Sequence, residues 1–352
     1  NGAKRTLERQ TAALLAAERS VELDPALPNG HLALASYHYY CHRDYERALE
    51  EFNLALAIRP DNLTALLGRA AILRRQGRWE ESTSLFEKAF DASPRDSSVA
   101  YNLSGNYGSM RDFRRAAEFA DLAISLAPDK PGGYQLKLEI LVAQGRYREA
   151  RKVLEEEPTG APIMVAWRIT LEITEERIEE ALAALRENPA VYERVLGQKG
   201  NGYHAVVECT CYYSLGDQRG VQEACGRARS LLEEMTRKSP DSSFIHYSLG
   251  LTYALLGHKG EAISEAERAV ELTPLERDAG LGERYARLAA GIYALVGDRE
   301  AAIDEIEYLL SIPGQLTVVD GQLISSELYP SFWDTLRDHP RFQALLEKYD
   351  TN

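Results

Sequence analysis

Residues 45–60 read YERALEEFNLALAIRP and residues 79–94 read WEESTSLFEKAFDASP, two stretches that open on an aromatic residue 34 positions apart. The register continues to Phe113 and Tyr147. Three positions after each aromatic stand Ala48, Ser82, Ala116 and Ala150, and four beyond those stand Phe52, Phe86, Ala120 and Leu154. Ala55, Ala89 and Ala123 follow, and Pro60, Pro94 and Pro128 close three of the units. Small residues at fixed places let two helices approach closely, and a proline just past a helix prevents its continuation. Gly77 and Gly145, two positions before the aromatic, supply a residue tolerant of positive φ where the preceding helix ends. Independent positions that agree over four consecutive units predict an array of helix-turn-helix repeats.

A 34-residue unit of this pattern resembles the tetratricopeptide repeat. The fold class expected is therefore all-α: a right-handed superhelix, or α-solenoid, of about eight repeats with a C-terminal cap. Residues 26–158 hold four regular repeats. Residues 159–240 read as two degenerate repeats, in which Gly197, Gln198, Lys199, Gly200, Asn201 and Gly202 form a flexible connection. The pattern returns over residues 241–313 with Leu249, Gly250, Tyr253, Gly257, Ala262, Ala266, Ala269 and Pro274, then Tyr293, Gly297, Ala302 and Ile306. Residues 1–25 read as a partial repeat, a lone second helix from Thr6 to Leu23 closed by Pro25. With Asn1 in first place, this suggests a chain cut from a longer protein. Residues 314–352 read as the cap, with an alternation from Leu316 to Leu328 too short to assign as a strand and an aromatic end around Tyr329, Phe332 and Trp333.

Composition narrows the function classes. Lys and Arg total 41 against 54 Asp and Glu, a net charge of −13, so a nucleic-acid footprint is disfavoured. The apolar runs are far shorter than the roughly 20 residues of a membrane span. Four cysteines, Cys41, Cys209, Cys211 and Cys225, are scattered over expected helices, so a disulfide framework is not expected and unpaired thiols favour a cytoplasmic setting. A periplasmic setting stays open if a membrane span precedes this segment.

Two stretches carry a narrower resemblance. Residues 308–313, YLLSIP, followed by residues 333–346, WDTLRDHPRFQALL, are similar to the end-of-group tail of tetratricopeptide regions in bacterial multidomain signalling proteins. His31 to Tyr45 and Arg74 to Trp79 are similar to the same group. In those proteins the region typically follows a TolB-like segment and a kinase, nucleotide cyclase or winged-helix domain. This chain departs from the pattern over Thr317 to Glu327, and it contains no motif of the effector domains.

The resemblance implies a peptide or partner helix received by the first helices of the repeats. By register, the groove positions are Tyr37, Tyr40, Leu67, Arg74, Arg75, Tyr101, Asn102, Gln135 and Glu139, with Cys41, Ala71 and Gly105 beside them. Tyrosines offer rigid apolar area with a polar tip, and arginine and asparagine can fix a ligand's backbone or carboxylate. Packing between repeats is the competing reading for the tyrosines. The carboxylate-clamp pattern of chaperone-tail binders is not matched: Leu67, Ala71, Gly132 and Leu136 occupy its basic and amide positions, and Asn102 alone agrees.

Arg78, Arg111, Arg114, Arg115, Arg146 and Arg148 recur near the turns. Stacked repeats would align them as a basic edge facing an acidic partner, against which neighbouring Glu80, Glu81 and Glu149 argue for ordinary solvated turns. His38 and His42, four apart with Cys41 between them, have a spacing open to metal, but no third ligand converges in the sequence. A metal-dependent enzyme or sensor is thus the rival class. The sequence assigns no metal or cofactor, no catalytic motif and no direct nucleic-acid contact. The expected function is a non-catalytic protein-interaction scaffold; the alternative is self-association, for instance as a homodimer, or autoinhibition of an effector domain outside this segment.

Overall fold

The turn inside each helical hairpin falls at one register position, and at that position the backbone is left-handed throughout. Glycine occupies it at Gly77, Gly145, Gly216, Gly257 and Gly297, with φ between 67° and 80°; Arg43, Arg111 and Glu176 occupy it with φ of 51°, 60° and 57°. Turns of this hand let the second helix of a pair fold back on the first, and glycine adopts them without the Cβ clash other residues incur.

The computed structural model describes residues 2–325 and 329–350 and divides after Asn106 into two compact units. In the first, α1 (Gly2–Leu23) packs on α2 (Pro28–Tyr37), which continues as one π turn over His38–His42 before α3 (Tyr45–Ile58); α4 (Leu63–Arg75) and α5 (Trp79–Ala92) make the next hairpin. Helix α6 (Ser97–Ser109) crosses the division and precedes α7 (Phe113–Leu126). The second unit continues with α8 (Pro131–Ala143), α9 (Tyr147–Glu156), α10 (Pro162–Thr174), α11 (Ile178–Glu187), the short α12 (Val191–Leu196), α13 (Lys199–Ser214), α14 (Gln218–Lys238), α15 (Ser243–Leu255), α16 (Lys259–Leu272), α17 (Ala279–Leu295) and α18 (Arg299–Ser311). A hairpin of β1 (Thr317–Val319) and β2 (Gln322–Ile324), a 3-10 turn over Pro330–Leu336 and α19 (Pro340–Tyr349) complete it.

The repeating residues do the work their register predicts. Each rung of the aromatic ladder is the first residue of a second helix, and Asp44 and Asp112 cap two of those helices by accepting from the Arg47 and Arg115 amides. Ala48, Ser82, Ala116, Ala150, Ala181, Ala262 and Ala302 are all 0 % exposed. Ser82 satisfies its hydroxyl on the Ala70 carbonyl at 2.8 Å, so the one polar residue in that series costs little. Phe52 lies so close over Gly68 that a Cβ there would stand 2.2 Å from the ring.

Two histidines make the same latch in separate units. His31 places Nδ1 2.7 Å from Glu51 and Nε2 3.1 Å from the Pro25 carbonyl; His246 places Nδ1 2.5 Å from Glu265 and Nε2 2.8 Å from the Pro240 carbonyl. Each ties a first helix to the loop before it and to its own second helix.

Three expectations are corrected. The glycine-rich stretch after Gly197 is helix from Lys199 onward, because its glycines serve close packing: a Cβ on Gly200 would stand 1.9 Å from the Tyr192 carbonyl oxygen, and one on Gly202 2.9 Å from Leu232. Cys209 and Cys225 form a disulfide, with Cα atoms 5.3 Å apart. Position i and i+2 on one helix cannot pair, but Cys209 on α13 faces Cys225 on α14 across a hairpin, so the unpaired-thiol argument for a cytoplasmic setting falls away for these two residues. Cys41 and Cys211 are free thiols.

The third correction concerns the C-terminal segment, whose residues 326–328 and 351–352 lie outside the described residues. Its 3-10 turn and α19 pack on α17 and α18 as a cap would. The alternation from Leu316, however, forms the β hairpin, and that hairpin reaches the opening helices of the same unit. The Gly314 amide donates to the Ser109 carbonyl and the Thr317 hydroxyl to the Ala143 carbonyl, each at 2.8 Å. Val319 and Ile324 pack over Gly145. Buried Arg287 donates to Glu283 at 3.1 Å and to Ser325 at 2.6 Å, while Glu283 accepts the Gln315 amide at 3.1 Å. Leu316 and Val318 are 0 % and 1 % exposed, so the hairpin is part of the core.

Candidate functional site

In the first unit, the predicted groove positions come from three successive first helices and the π turn. Tyr40, on that turn, is 79 % exposed, and Tyr101 on α6 is 39 % exposed. Tyr37 is half-buried, its hydroxyl 2.9 Å from His42 Nε2. Leu67, Arg74, Arg75 and Asn102 are also half-buried. Arg74 donates to Asn102 Oδ1 at 3.3 Å and lies with its guanidinium 5.5 Å from the Phe86 ring centre, while the Asn102 amide donates to the Ser98 carbonyl. Arg74 on α4 and Asn102 on α6 are thus brought together, with the guanidinium over an aromatic ring.

In the second unit, Gln135 and Glu139 stand one turn apart on α8, with Gln135 donating to Glu139 at 2.9 Å. They line a cavity of about 330 Å³ whose other walls include Trp167 on α10, Tyr192 on α12, Tyr203 on α13, Phe244 on α15, Arg284 on α17, and Gln315 and Tyr329 from the C-terminal segment. The Tyr203 ring centre is 5.2 Å from both Tyr192 and Phe244. Burial, reinforced by neighbouring Tyr203, holds the Tyr192 and Tyr329 hydroxyls well above the ordinary tyrosine value, so both stay neutral phenols. The sequence register did not reveal these rings: Tyr192 and Tyr203 fall in the stretch where the period is lost, and Tyr329 reaches the cavity only through the return of the C-terminal segment.

The arginines proposed as a basic edge divide by environment. Arg78 pairs with Glu81 and Arg146 with Glu149, each bidentate; Arg114 pairs with Glu118, and Arg115 with Asp112 and the Tyr107 hydroxyl. Arg148 is exposed. Arg111 departs from the expectation. Its guanidinium donates to the carbonyls of Leu309, Leu310 and Leu316 at 3.1, 3.3 and 3.1 Å, which turns it inward from any edge. Burial draws its pKa down from the arginine value, with Glu283 opposing the shift.

His38, Cys41 and His42 lie on the π turn. No group of three or more His, Cys, Asp or Glu side chains among the described residues is placed to hold a metal ion. No helix among the described residues is long and apolar enough to cross a membrane.

Comparison with known proteins places this geometry in a family of folds. The tetratricopeptide repeat family matches residues 32–97 and 245–274. Anaphase-promoting complex subunit 3 of Schizosaccharomyces pombe is 22 % identical over 158 residues, which cover 45 % of this chain and 24 % of that protein. The crystal structure of yeast Tom70 superposes with a TM-score of 0.59 at 16 % identity, covering 81 % of this chain and 59 % of Tom70. The chain therefore spans about a quarter of that curated relative's length. Residues 32–97 and 245–274 are tetratricopeptide repeats, and the fold is the all-α fold of tetratricopeptide proteins.

Proposed function

We propose that this chain is a non-catalytic protein-interaction scaffold whose first unit receives an extended peptide or a partner helix on its first helices, as the sensory or regulatory part of a bacterial signalling protein. The observation that carries the reading is the exposure of Tyr40 and Tyr101 together with the Arg74–Asn102 hydrogen bond. Exposed tyrosine rings on the same unit as a positioned guanidinium and amide supply the residue types of a binding hot spot. Tetratricopeptide repeats support the scaffold class, as does a relative named as one subunit of a larger complex. The bacterial signalling setting rests on the resemblance of residues 308–313 and 333–346 to the end-of-group tail.

The test is affinity capture from the source cell with the intact chain and with a Tyr37→Ala, Tyr40→Ala, Tyr101→Ala variant whose helicity is checked by circular dichroism. A partner held by the intact chain and lost by the folded variant supports groove recognition. Retention by both moves recognition away from these residues and overturns the reading.

A further inference from the structure

We infer that the cavity of the second unit binds a small, uncharged, planar molecule through a carbonyl oxygen that accepts the hydroxyl hydrogen of Tyr192 or of Tyr329. Both side chains line the cavity and both are almost wholly buried, at 5 % and 7 % exposed. Neither hydroxyl has a hydrogen-bond partner among the described residues, and neither belongs to the unpartnered side-chain atoms sealed inside the fold. A buried phenol ordinarily finds a partner for its hydroxyl, and these two open onto the cavity that they line. The phenols also form one cluster: Tyr203 opposes the ionisation of both, and Tyr192 opposes that of Tyr329. Each therefore keeps a hydrogen to donate.

The rest of the wall selects the ligand. A volume of about 330 Å³ lies at the low end of the roughly 300–1,000 Å³ typical of ligand pockets, which favours a small molecule over a length of polypeptide. The Tyr192, Tyr203 and Phe244 rings follow one another with centres 5.2 Å apart, and Trp167 joins them in the lining. They offer area to a planar ring. The wall's polar side chains are already engaged: Gln135 donates to Glu139, Gln315 accepts from Arg287, and Arg284 has an interaction of its own. A charged ligand would therefore give up its water without an unmatched charge to meet. A carbonyl oxygen accepts from a phenol and brings in no donor that would need a further partner. Tyr192 stands edge-on to Tyr203, and Tyr329 edge-on to Phe332 at 5.7 Å, so both phenols are positioned before ligand arrives. This inference does not rest on peptide recognition by the first unit.

The experiment is a calorimetric titration of the full chain with two neutral ketones, indanone and its larger homologue tetralone, each beside the hydrocarbon that lacks the carbonyl, indane or tetralin. Indane carboxylate and aminoindane supply the same rings with a negative or a positive charge. The expected result is saturable binding of at least one ketone, about tenfold or more tighter than its own hydrocarbon and than either charged compound, a difference of about 1.4 kcal/mol or more. Tyr192→Phe or Tyr329→Phe should remove the preference for ketone over hydrocarbon, and the double variant must remove it, while the hydrocarbon binds each variant as it binds the parent. In the parent chain, the infrared carbonyl stretch of the bound ketone should fall to the lower frequency of a hydrogen-bonded carbonyl. No saturable binding of either ketone, equal affinity for the hydrocarbon, tighter binding of a charged compound, or a carbonyl stretch left at its value in an apolar solvent overturns the proposal. Because each variant is read as lost discrimination between two ligands, a merely unstable variant cannot mimic the expected result.

Discussion

Replacing Arg111 by glycine tests whether the C-terminal segment is held by the opening helices of its unit. Two opposing effects can be worked from the structure. Arg111 sits at φ 60° in the hairpin turn, where a side chain costs about 1–2 kcal/mol. Glycine removes that cost but loses about 0.4–1 kcal/mol through the freedom it gives the unfolded chain. Relief alone should therefore stabilise by about 0.5–1 kcal/mol. Against it stand the carbonyls of Leu309 and Leu310, in the last turn of α18 where no intrahelical donor remains, and that of Leu316. Each acceptor stranded without a partner costs about 1–3 kcal/mol, and partial rehydration brings the total to about 3–5. The net expectation for Arg111→Gly is a loss of about 2–4 kcal/mol. Glu176→Gly has the same backbone relief and an exposed side chain, so it should instead gain about 0.5–1 kcal/mol. Urea unfolding of both variants, with hydrogen exchange followed at Gly314, gives the comparison. If Arg111→Gly gained stability as Glu176→Gly does, with Gly314 still protected, the clamp would be refuted.

Glu172, its side chain 8 % exposed, would be pushed up by burial, but hydrogen bonds from Arg151 and Arg177 outweigh burial and leave its pKa below the ordinary 4.5. The unfolded chain then binds the proton more readily, so this contribution is complete above about pH 5 and is lost as pH falls through the lowered value. Glu172→Gln should cost about 1–3 kcal/mol at pH 7 and show a shallower loss between pH 7 and pH 4, as read from urea midpoints. Reduction of Cys209–Cys225, which closes a 16-residue separation, should cost about 3 kcal/mol. The buried Cys211 thiol, raised by burial to about 12, should resist alkylation at pH 8 until the chain unfolds, as mass spectrometry would show. Ala116→Leu, at a position with no exposed surface, should cost about 1–3 kcal/mol by overpacking; an unchanged melting temperature would show the repeat register to be misassigned.

The parts of the fold that obey a period were legible from the residues. The ladder Tyr45, Trp79, Phe113 and Tyr147 marks helix starts, and the small residues behind it are buried, because each hairpin meets its neighbours through the same geometry. Even the left-handed turns at Arg43 and Arg111 fall two positions before an aromatic, though neither residue type announces a positive φ. What could not be read were contacts with no period. Arg111 looked like one of a row of turn arginines because nothing local distinguishes it from Arg114; its partners lie some 200 positions away. Gly200 and Gly202 looked like a linker because close approach to Tyr192 and Leu232 leaves the same composition as flexibility. The positions proposed for a groove follow from register, whereas Arg284, Phe244 and Tyr329 reach the cavity only through the folded path of the unit.

The return of residues 314–325 to α6 and α8 also sets when this unit can finish folding. In an open repeat array each unit depends on its neighbours alone, and segments can order as they leave the ribosome. Here Arg111 and Ala143 wait for acceptors and donors separated from them by 205 and 174 positions. Synthesis proceeds at roughly 5–20 residues per second, so those groups stay in water for many seconds before the closing segment exists. Loss of the segment from residue 314 onward would therefore be felt at the unit's opening helices as well as where that segment lies, making residues 314–325 a checkpoint on the completeness of the whole unit.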